Sequence, residues 1–338
     1  MKKLISLICV LAMVLALAAC GSSAPAAATE APAASTEAPA EDVSTDKTFV
    51  VGICQLVQHP ALDAATQGFK DALTEALGDK VTFQEQNASG DSATCSLICN
   101  QFVSDEVDLI MANATASIQA AASATNTIPI LGTSITDYGV ALGVDNWTGV
   151  SGTNISGTSD LAPLDGQAAM IQELFPDANT IGLLYCSGEP NSIFQADSME
   201  ALLTDMGYSV ERYTFADSND VSSVTANACS NSDVLYIPTD NTAASCTEAI
   251  NNVALSAGIP IVAGEEGIAS GCGVATLSIS YYDLGRATGE MAAEILTEGA
   301  DISTMEVRFA PAFTKEYNAD ICEALNITVP EDYVAIVK

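Results

Sequence analysis

From residue 49 onward the chain alternates short apolar runs with helix-length amphipathic stretches, and it passes through that alternation twice. Residues 49–54 form a continuous apolar run of the buried-strand type. His59 and Pro60 open a helix to Leu77, with Leu62, Ala65, Phe69, Ala72 and Leu73 on one face and Gly78 at its end. Strands at 81–86, 108–112 and 128–131 and helices at 91–104 and 115–125 complete the first set. After a Gly- and Ser-rich stretch at 149–159 the pattern restarts. Helices follow at 161–175, 191–207, 220–230 and 241–257, interleaved with strands at 180–185, 209–214, 233–237 and 260–263. Parallel strands need crossovers of a dozen or more residues, and helices fill them. The pattern therefore predicts an α/β protein with parallel sheets covered on both faces.

The two halves resemble each other. Val107-Asp108-Leu109-Ile110-Met111 leads into a polar loop and helix, then Thr127-Ile128-Pro129-Ile130. Ser232-Asp233-Val234-Leu235-Tyr236 does the same, then Gly258-Ile259-Pro260-Ile261. Such a duplication points to two Rossmann-like lobes rather than one wide sheet.

Charge narrows the partners. The 338 residues carry 43 acidic and 10 basic side chains, a net charge of −33. No cluster of Lys and Arg is present, which argues against nucleic acid and polyanions. A single histidine, His59, rules out a His-rich metal site. The motifs GxGxxG, GxxxxGK[ST] and GxSxG are absent, so no dinucleotide, P-loop or hydrolase chemistry is indicated; we expect no enzyme, no cofactor and no metal.

The N-terminus reads as an export signal. Lys2 and Lys3 precede an apolar stretch from Leu4 to Ala19, shorter than a comfortable membrane span. Leu17-Ala18-Ala19-Cys20 resembles the bacterial lipobox, which implies cleavage after residue 19 and lipidation of Cys20. Residues 20–46 are Ala, Pro, Ser, Thr and Glu without apolar periodicity, and read as a disordered tether. The expected location is the outer face of the cell membrane. Eight further cysteines are scattered through strand and helix patterns. Buried free thiols are the favoured reading; disulfides, or a metal held by Cys95 and Cys99, are the alternatives.

In open α/β sheets ligands sit beyond the carboxyl ends of the strands. Those exits carry Gln55 and His59, Asn87, Thr115, Ser134, Ser187 and Asn191, Asp240 and Asn241, and Glu265. Helices begin there, so backbone N–H groups point into the same space. Hydroxyls and helix starts suit a carboxylate, and a fixed Asp or Glu suits an ammonium. Helix capping is the competing explanation for any one of these residues.

The segment Gly52-Ile53-Cys54-Gln55-Leu56-Val57-Gln58-His59-Pro60-Ala61-Leu62-Asp63-Ala64-Ala65 resembles the opening of ABC-transporter substrate-binding proteins associated with uptake of tryptophan and other aromatic amino acids. Asn87-Ala88-Ser89-Gly90-Asp91, Pro238-Thr239-Asp240-Asn241-Thr242 and Tyr281-Tyr282-Asp283-Leu284-Gly285-Arg286 extend the resemblance in order. Gln58 stands where many relatives carry Glu. The resemblance implies the type I periplasmic-binding-protein architecture with three inter-lobe crossings. The N-terminal lobe would comprise 47–158 and 281–309, and the C-terminal lobe 159–280 and 310–338. It implies a monomer that closes on an amino acid and delivers it to ABC permease and ATPase subunits. Thr115 and Ser134 are the expected holders of the ligand carboxylate, and Asp240 with Asn241 those of its ammonium. Ser187, Asn191 and Glu265 would complete the second-lobe grip, and Gln55, His59 and Asn87 the first-lobe wall. A lipoprotein that senses another amino acid, a sugar or a nucleoside, and signals without transport, is the alternative.

Overall fold

The computed structural model describes residues 47–337; the leader, the Cys20 motif and the tether lie outside the described residues. The first set of elements is β1 (Phe49–Gln55), α1 (Pro60–Leu77), β2 (Val81–Asn87), α2 (Ser92–Ser104), β3 (Leu109–Asn113), α3 (Thr115–Ala124), β4 (Ile130–Ile135), α4 (Tyr138–Leu142) and β5 (Ile155–Ser159). The second begins with α5 (Leu164–Leu174), β6 (Thr180–Cys186), α6 (Pro190–Asp205), β7 (Ser209–Phe215), α7 (Val221–Asn231) and β8 (Val234–Ile237). It continues with α8 (Asn241–Ser245), α9 (Thr247–Ala257), β9 (Ile261–Ala263), α10 (Glu266–Cys272) and β10 (Ala275–Ser278). Then come α11 (Tyr281–Glu298), β11 (Arg308–Phe309), β12 (Thr314–Tyr317), α12 (Ala319–Ala324) and β13 (Val334–Ala335).

Two sheets organise these elements, as the duplicated pattern requires. One has the order β11-β5-β4-β3-β1-β2, and the other β13-β12-β10-β9-β8-β6-β7. Every strand pair is parallel except β10 with β12. The chain leaves the first sheet after β5, returns to it for β11, and ends on the second, so it crosses between lobes three times.

The central strands of both sheets are buried on both faces, which is why they read as continuous apolar runs. Along β1, Val51 and Ile53 pack with Phe69 and Leu73 of α1 and Met291 of α11, whereas Cys54 points to Cys95, Cys99 and Ile118 of α2 and α3. Along β6, Ile181 and Leu183 meet α5 and α6 through Ile171 and Met199, while Leu184 meets α7 and α9 through Ala228 and Ile250. The eight cysteines of the described residues are free; seven are buried and Cys246 is half-buried. They serve as small apolar side chains, and burial pushes the thiols of Cys186, Cys229, Cys272 and Cys322 up.

Helix α11 returns to the first lobe and lies along α1. A Cβ at Gly285 would come within 2.0 Å of the Ala65 carbonyl oxygen, so only glycine permits this approach. Arg286 pairs with Glu75 at 2.7 Å, and the Tyr282 hydroxyl donates to Asp71 at 2.9 Å. The hydroxyls of Thr288 on α11 and Thr158 on β5 lie 2.9 Å apart, fixing α11 beside the first crossing.

Two stretches differ from the sequence reading. Residues 155–159, read there as part of a small-residue connection, form the fully buried β5. Small residues are needed because the Tyr138 hydroxyl lies over the strand, 3.1 Å from the Gly132 carbonyl and 3.2 Å from that of Thr158. A Cβ at Gly157, whose φ is +142°, would fall 2.4 Å from that hydroxyl and 2.0 Å from the Gly132 carbonyl oxygen. Gly157→Ala is therefore expected to destabilise the protein by about 1–3 kcal/mol, read as a lower denaturation midpoint at unchanged slope. The second difference lies at 241–257, where Cys246 adopts φ −120° and ψ 17° and divides one expected helix into α8 and α9.

Candidate ligand-binding site

Strand order fixes where a cleft can form. In each sheet the order reverses at one point, between β1 and β3 and between β6 and β8. Loops leaving the strands on either side of a reversal diverge and leave a crevice. The two crevices face each other across the crossings. Between them lies a narrow cavity of about 10 Å3.

Six of the residues singled out in the sequence line this cavity: His59, Ser134, Asn191, Asp240, Asn241 and Glu265. Four do not. Gln55 is absorbed by its own lobe, donating to Asp63 at 2.6 Å and to the Val57 carbonyl at 2.9 Å while accepting from Thr66 at 2.7 Å. Asn87 is exposed and lies beside Gln55 at a separate surface depression. Ser187 is exposed and donates to the Phe215 carbonyl at 3.2 Å. Thr115 is buried at the first turn of α3 and is not in the cavity wall.

The crossings supply what strand exits did not reveal. Asp160, just after β5, accepts from Thr136 at 3.2 Å and from the Tyr281 hydroxyl at 2.9 Å. Tyr281 begins α11 at the second crossing, so Asp160 ties two crossings together. Asp160, Thr136 and Tyr281 all line the cavity, with Thr239, Leu62 and Ala244. The signal available in the sequence was an acidic residue closing a run of small ones, and a tyrosine pair opening a helix.

Three carboxyl groups in the wall are almost wholly buried: Asp160, Asp240 and Glu265 are 3%, 1% and 2% exposed. Asp240 caps α8, accepting from the Ala243 N–H at 2.7 Å, and bridges the second crevice by accepting from the Cys186 N–H at 2.6 Å. Glu265 caps α10 through the N–H groups of Gly267 and Ile268, at 2.6 and 2.5 Å. Capping and facing a cavity are thus not alternatives here, because the same carboxylate does both. Burial pushes the Asp160 carboxyl up to about 6 and that of Glu265 up to about 7. Asp240 rises well above the usual carboxylate range, first through burial and then through the neighbouring Glu189. The partners of all three are hydroxyls and backbone N–H groups, so the cavity wall holds three ionisable carboxyls and no Lys or Arg.

The two lobes also touch across the cavity. His59 Nε2 lies 3.3 Å from Asn241 Oδ1. The Asn241 amide is oriented by Glu189, which accepts from its Nδ2 at 2.7 Å and from its backbone N–H at 3.0 Å. Asn241 Oδ1 is therefore the acceptor and His59 Nε2 carries the proton. Burial pulls the His59 pKa down, favouring the neutral ring, and its Nδ1 is a buried lone pair without a partner. Ser134 Oγ is likewise buried and unpartnered, on a residue held at φ +56°. Gln195 Nε2 reaches Thr136 at 3.4 Å as a second bridge between lobes.

Residues 50–337 match the family model described as ABC transporter substrate binding protein, and the chain belongs to that family. A curated relative, a tyrosine-binding protein of Clostridioides difficile strain R20291, is 38% identical over 280 residues, covering 82% of this chain and 81% of its own. An ABC domain from Streptococcus pneumonia solved in complex with L-Trp matches with a TM-score of 0.82 at 30% identity, covering 86% of this chain and 100% of that one. The ligand-free, open structure of a Clostridium difficile substrate binding protein with adhesive properties matches at 0.66 with 37% identity, covering 86% and 99%. The more identical chain is the poorer superposition. The architecture is that of type I periplasmic binding proteins, with two parallel-dominated sheets.

Proposed function

We propose that this protein captures an aromatic amino acid between its lobes and delivers it to an ABC importer. The observation that carries the reading is the closed cavity with three buried carboxyls and no internal cation, beside two unpartnered polar atoms. A ligand ammonium supplies the missing positive charge, with Asp240 as its principal partner; Asn241, held by Glu189 and His59, is part of the wall. The ligand carboxylate is assigned to Ser134 and the backbone around it. His59 and Asn191 complete the walls. The aromatic side chain is supported by the tyrosine-binding and L-Trp-bound relatives.

The lobes act as a clamp. The ligand stabilises the closed form by touching both faces, and the permease distinguishes closed from open. The chain performs no chemistry on its cargo, works as a monomer, and hangs from the outer face of the membrane by lipid on Cys20 after removal of residues 1–19. Among the described residues no helix is long and apolar enough to cross a membrane.

A thermal-shift screen of amino acids, sugars and nucleosides tests the reading. Saturation at 100 times Kd adds about 2.7 kcal/mol of stability. L-Tyrosine, L-tryptophan or L-phenylalanine should raise Tm by several degrees, and sugars and nucleosides should not. Shifts confined to a sugar or nucleoside would end the amino-acid reading.

A further inference from the structure

Two groupings of residues line the cavity. Asp160 lies against the Tyr281 hydroxyl at the crossings, with Glu265 in the same wall. His59 and Asn241 meet across the lobes. Leu62 lies three residues after His59, and Ala244 three after Asn241, so each falls one turn along its helix on the same side. Leu62 and Ala244 are both buried cavity residues and add apolar surface to the wall. His59 Nδ1 is a buried acceptor with no partner among the described residues. Its acceptor character follows from the Glu189–Asn241–His59 chain of hydrogen bonds, in which each proton is assigned by the group before it. The charged acceptors at the crossings and Asp240 outcompete a neutral imidazole for an ammonium, because charge-assisted hydrogen bonds are about twice as strong. The donor that reaches Nδ1 must come from the ligand's ring.

We propose that His59 Nδ1 accepts a hydrogen bond from the ring of the bound amino acid, so that the site selects rings bearing O–H or N–H, tyrosine and tryptophan, over the bare phenyl of phenylalanine. The inference rests on the aromatic-amino-acid reading above. Phenylalanine would leave that buried acceptor unsatisfied, and sites built to hydrogen-bond a ligand group reject the analogue lacking it far more strongly than sites that read size alone. The device costs the protein nothing in specificity of fold, since the Asn241 contact alone orients the imidazole.

Two measurements test it. Calorimetric titration of the purified protein should give Kd values for L-tyrosine and L-tryptophan at least tenfold below that for L-phenylalanine. His59→Leu should bring the three within about threefold of one another by weakening the first two. Because the chain has one histidine, 15N-histidine labelling yields a single pair of ring resonances and reads the wild-type protein directly. The Nδ1 signal should shift in the hydrogen-bonded direction with tyrosine and tryptophan but not with phenylalanine. Equal wild-type affinities for tyrosine and phenylalanine, an unmoved Nδ1 signal, or a His59→Leu variant that weakens all three ligands alike would overturn the inference and leave the aromatic reading standing. Failure of all three amino acids to bind would overturn both.

Discussion

Asp240→Asn should weaken amino-acid binding by about 2–4 kcal/mol, a loss of roughly 30- to 1000-fold, while the protein stays folded. Asparagine keeps the shape of the side chain and is itself a good helix cap, so α8 retains its start. What disappears is the ionisable oxygen, and Nδ2 then faces the Cys186 N–H that the carboxylate accepted from, which costs about 1–3 kcal/mol of stability. The charge of the ligand ammonium is then left with Asp160 and Glu265, both further toward the crossings. Asp240→Ala removes the cap as well and costs about 1 kcal/mol of stability through the cap, so each variant's binding loss is read against its own denaturation curve. Titration calorimetry and a denaturation curve on each variant distinguish the two. Undiminished affinity in Asp240→Asn would move the ammonium to Asp160 or Glu265, and the corresponding Asn and Gln variants would show the loss instead.

Unliganded protein should be more stable at pH 5 than at pH 8, by about 3–5 kcal/mol, and should bind its ligand more tightly at pH 8 than at pH 6. Both signs come from the same groups. Asp160, Asp240 and Glu265 have folded-state pKa values raised above their unfolded ones, chiefly by burial. Between the ordinary carboxylate value and about 6 to 7 or higher, the folded chain holds protons that the unfolded chain has released. Stability therefore falls as pH rises through that window, and is unaffected below it, where both states are protonated. The half-buried Glu316, pushed up to about 7 by burial and by Glu266, adds to the same slope. An ammonium ligand reverses the balance, because it binds the ionised form and expels a proton. Affinity then rises with pH across the window, until the ligand's own amine titrates. Melting curves from pH 4.5 to 8.5, with titrations in buffers of different ionisation enthalpy, read both effects. A flat stability profile together with no proton release would place the carboxyls in an ionised state from the start.

Much of this was legible because strand–helix alternation and topology are strongly coupled. Once the apolar runs at 49–54 and 233–237 are strands of two parallel sheets, their exits must face a cleft, and His59, Ser134, Asn191, Asp240, Asn241 and Glu265 are found there. The exits that failed did so for topological or local reasons. Asn87 leaves β2, the edge strand of its sheet, away from the reversal of strand order. Ser187 leaves β6 on the side of edge strand β7, where Phe215 takes its hydroxyl. Gln55 leaves a central strand but is intercepted by Asp63 and Thr66 of the following helix, a competition that strand periodicity cannot reveal. Asp160 went unread, and Tyr281 entered only within a family segment and not as a site residue, because their value depends on two crossings meeting, and no local pattern encodes that encounter. Strand β5 escaped for a similar reason: its glycine and hydroxyl residues fit beneath Tyr138, a contact visible only in three dimensions.

Small-angle scattering of the purified protein with and without ligand tests the central claim most directly. Saturating L-tyrosine or L-tryptophan should reduce the radius of gyration, because the open lobes swing shut around the amino acid. The N-acetylated amino acid, which has the same ring and carboxylate but no ammonium, should leave the profile unchanged at the same concentration. Identical profiles for all samples, or equal closure by the acetylated compound, would contradict capture through an ammonium between two moving lobes.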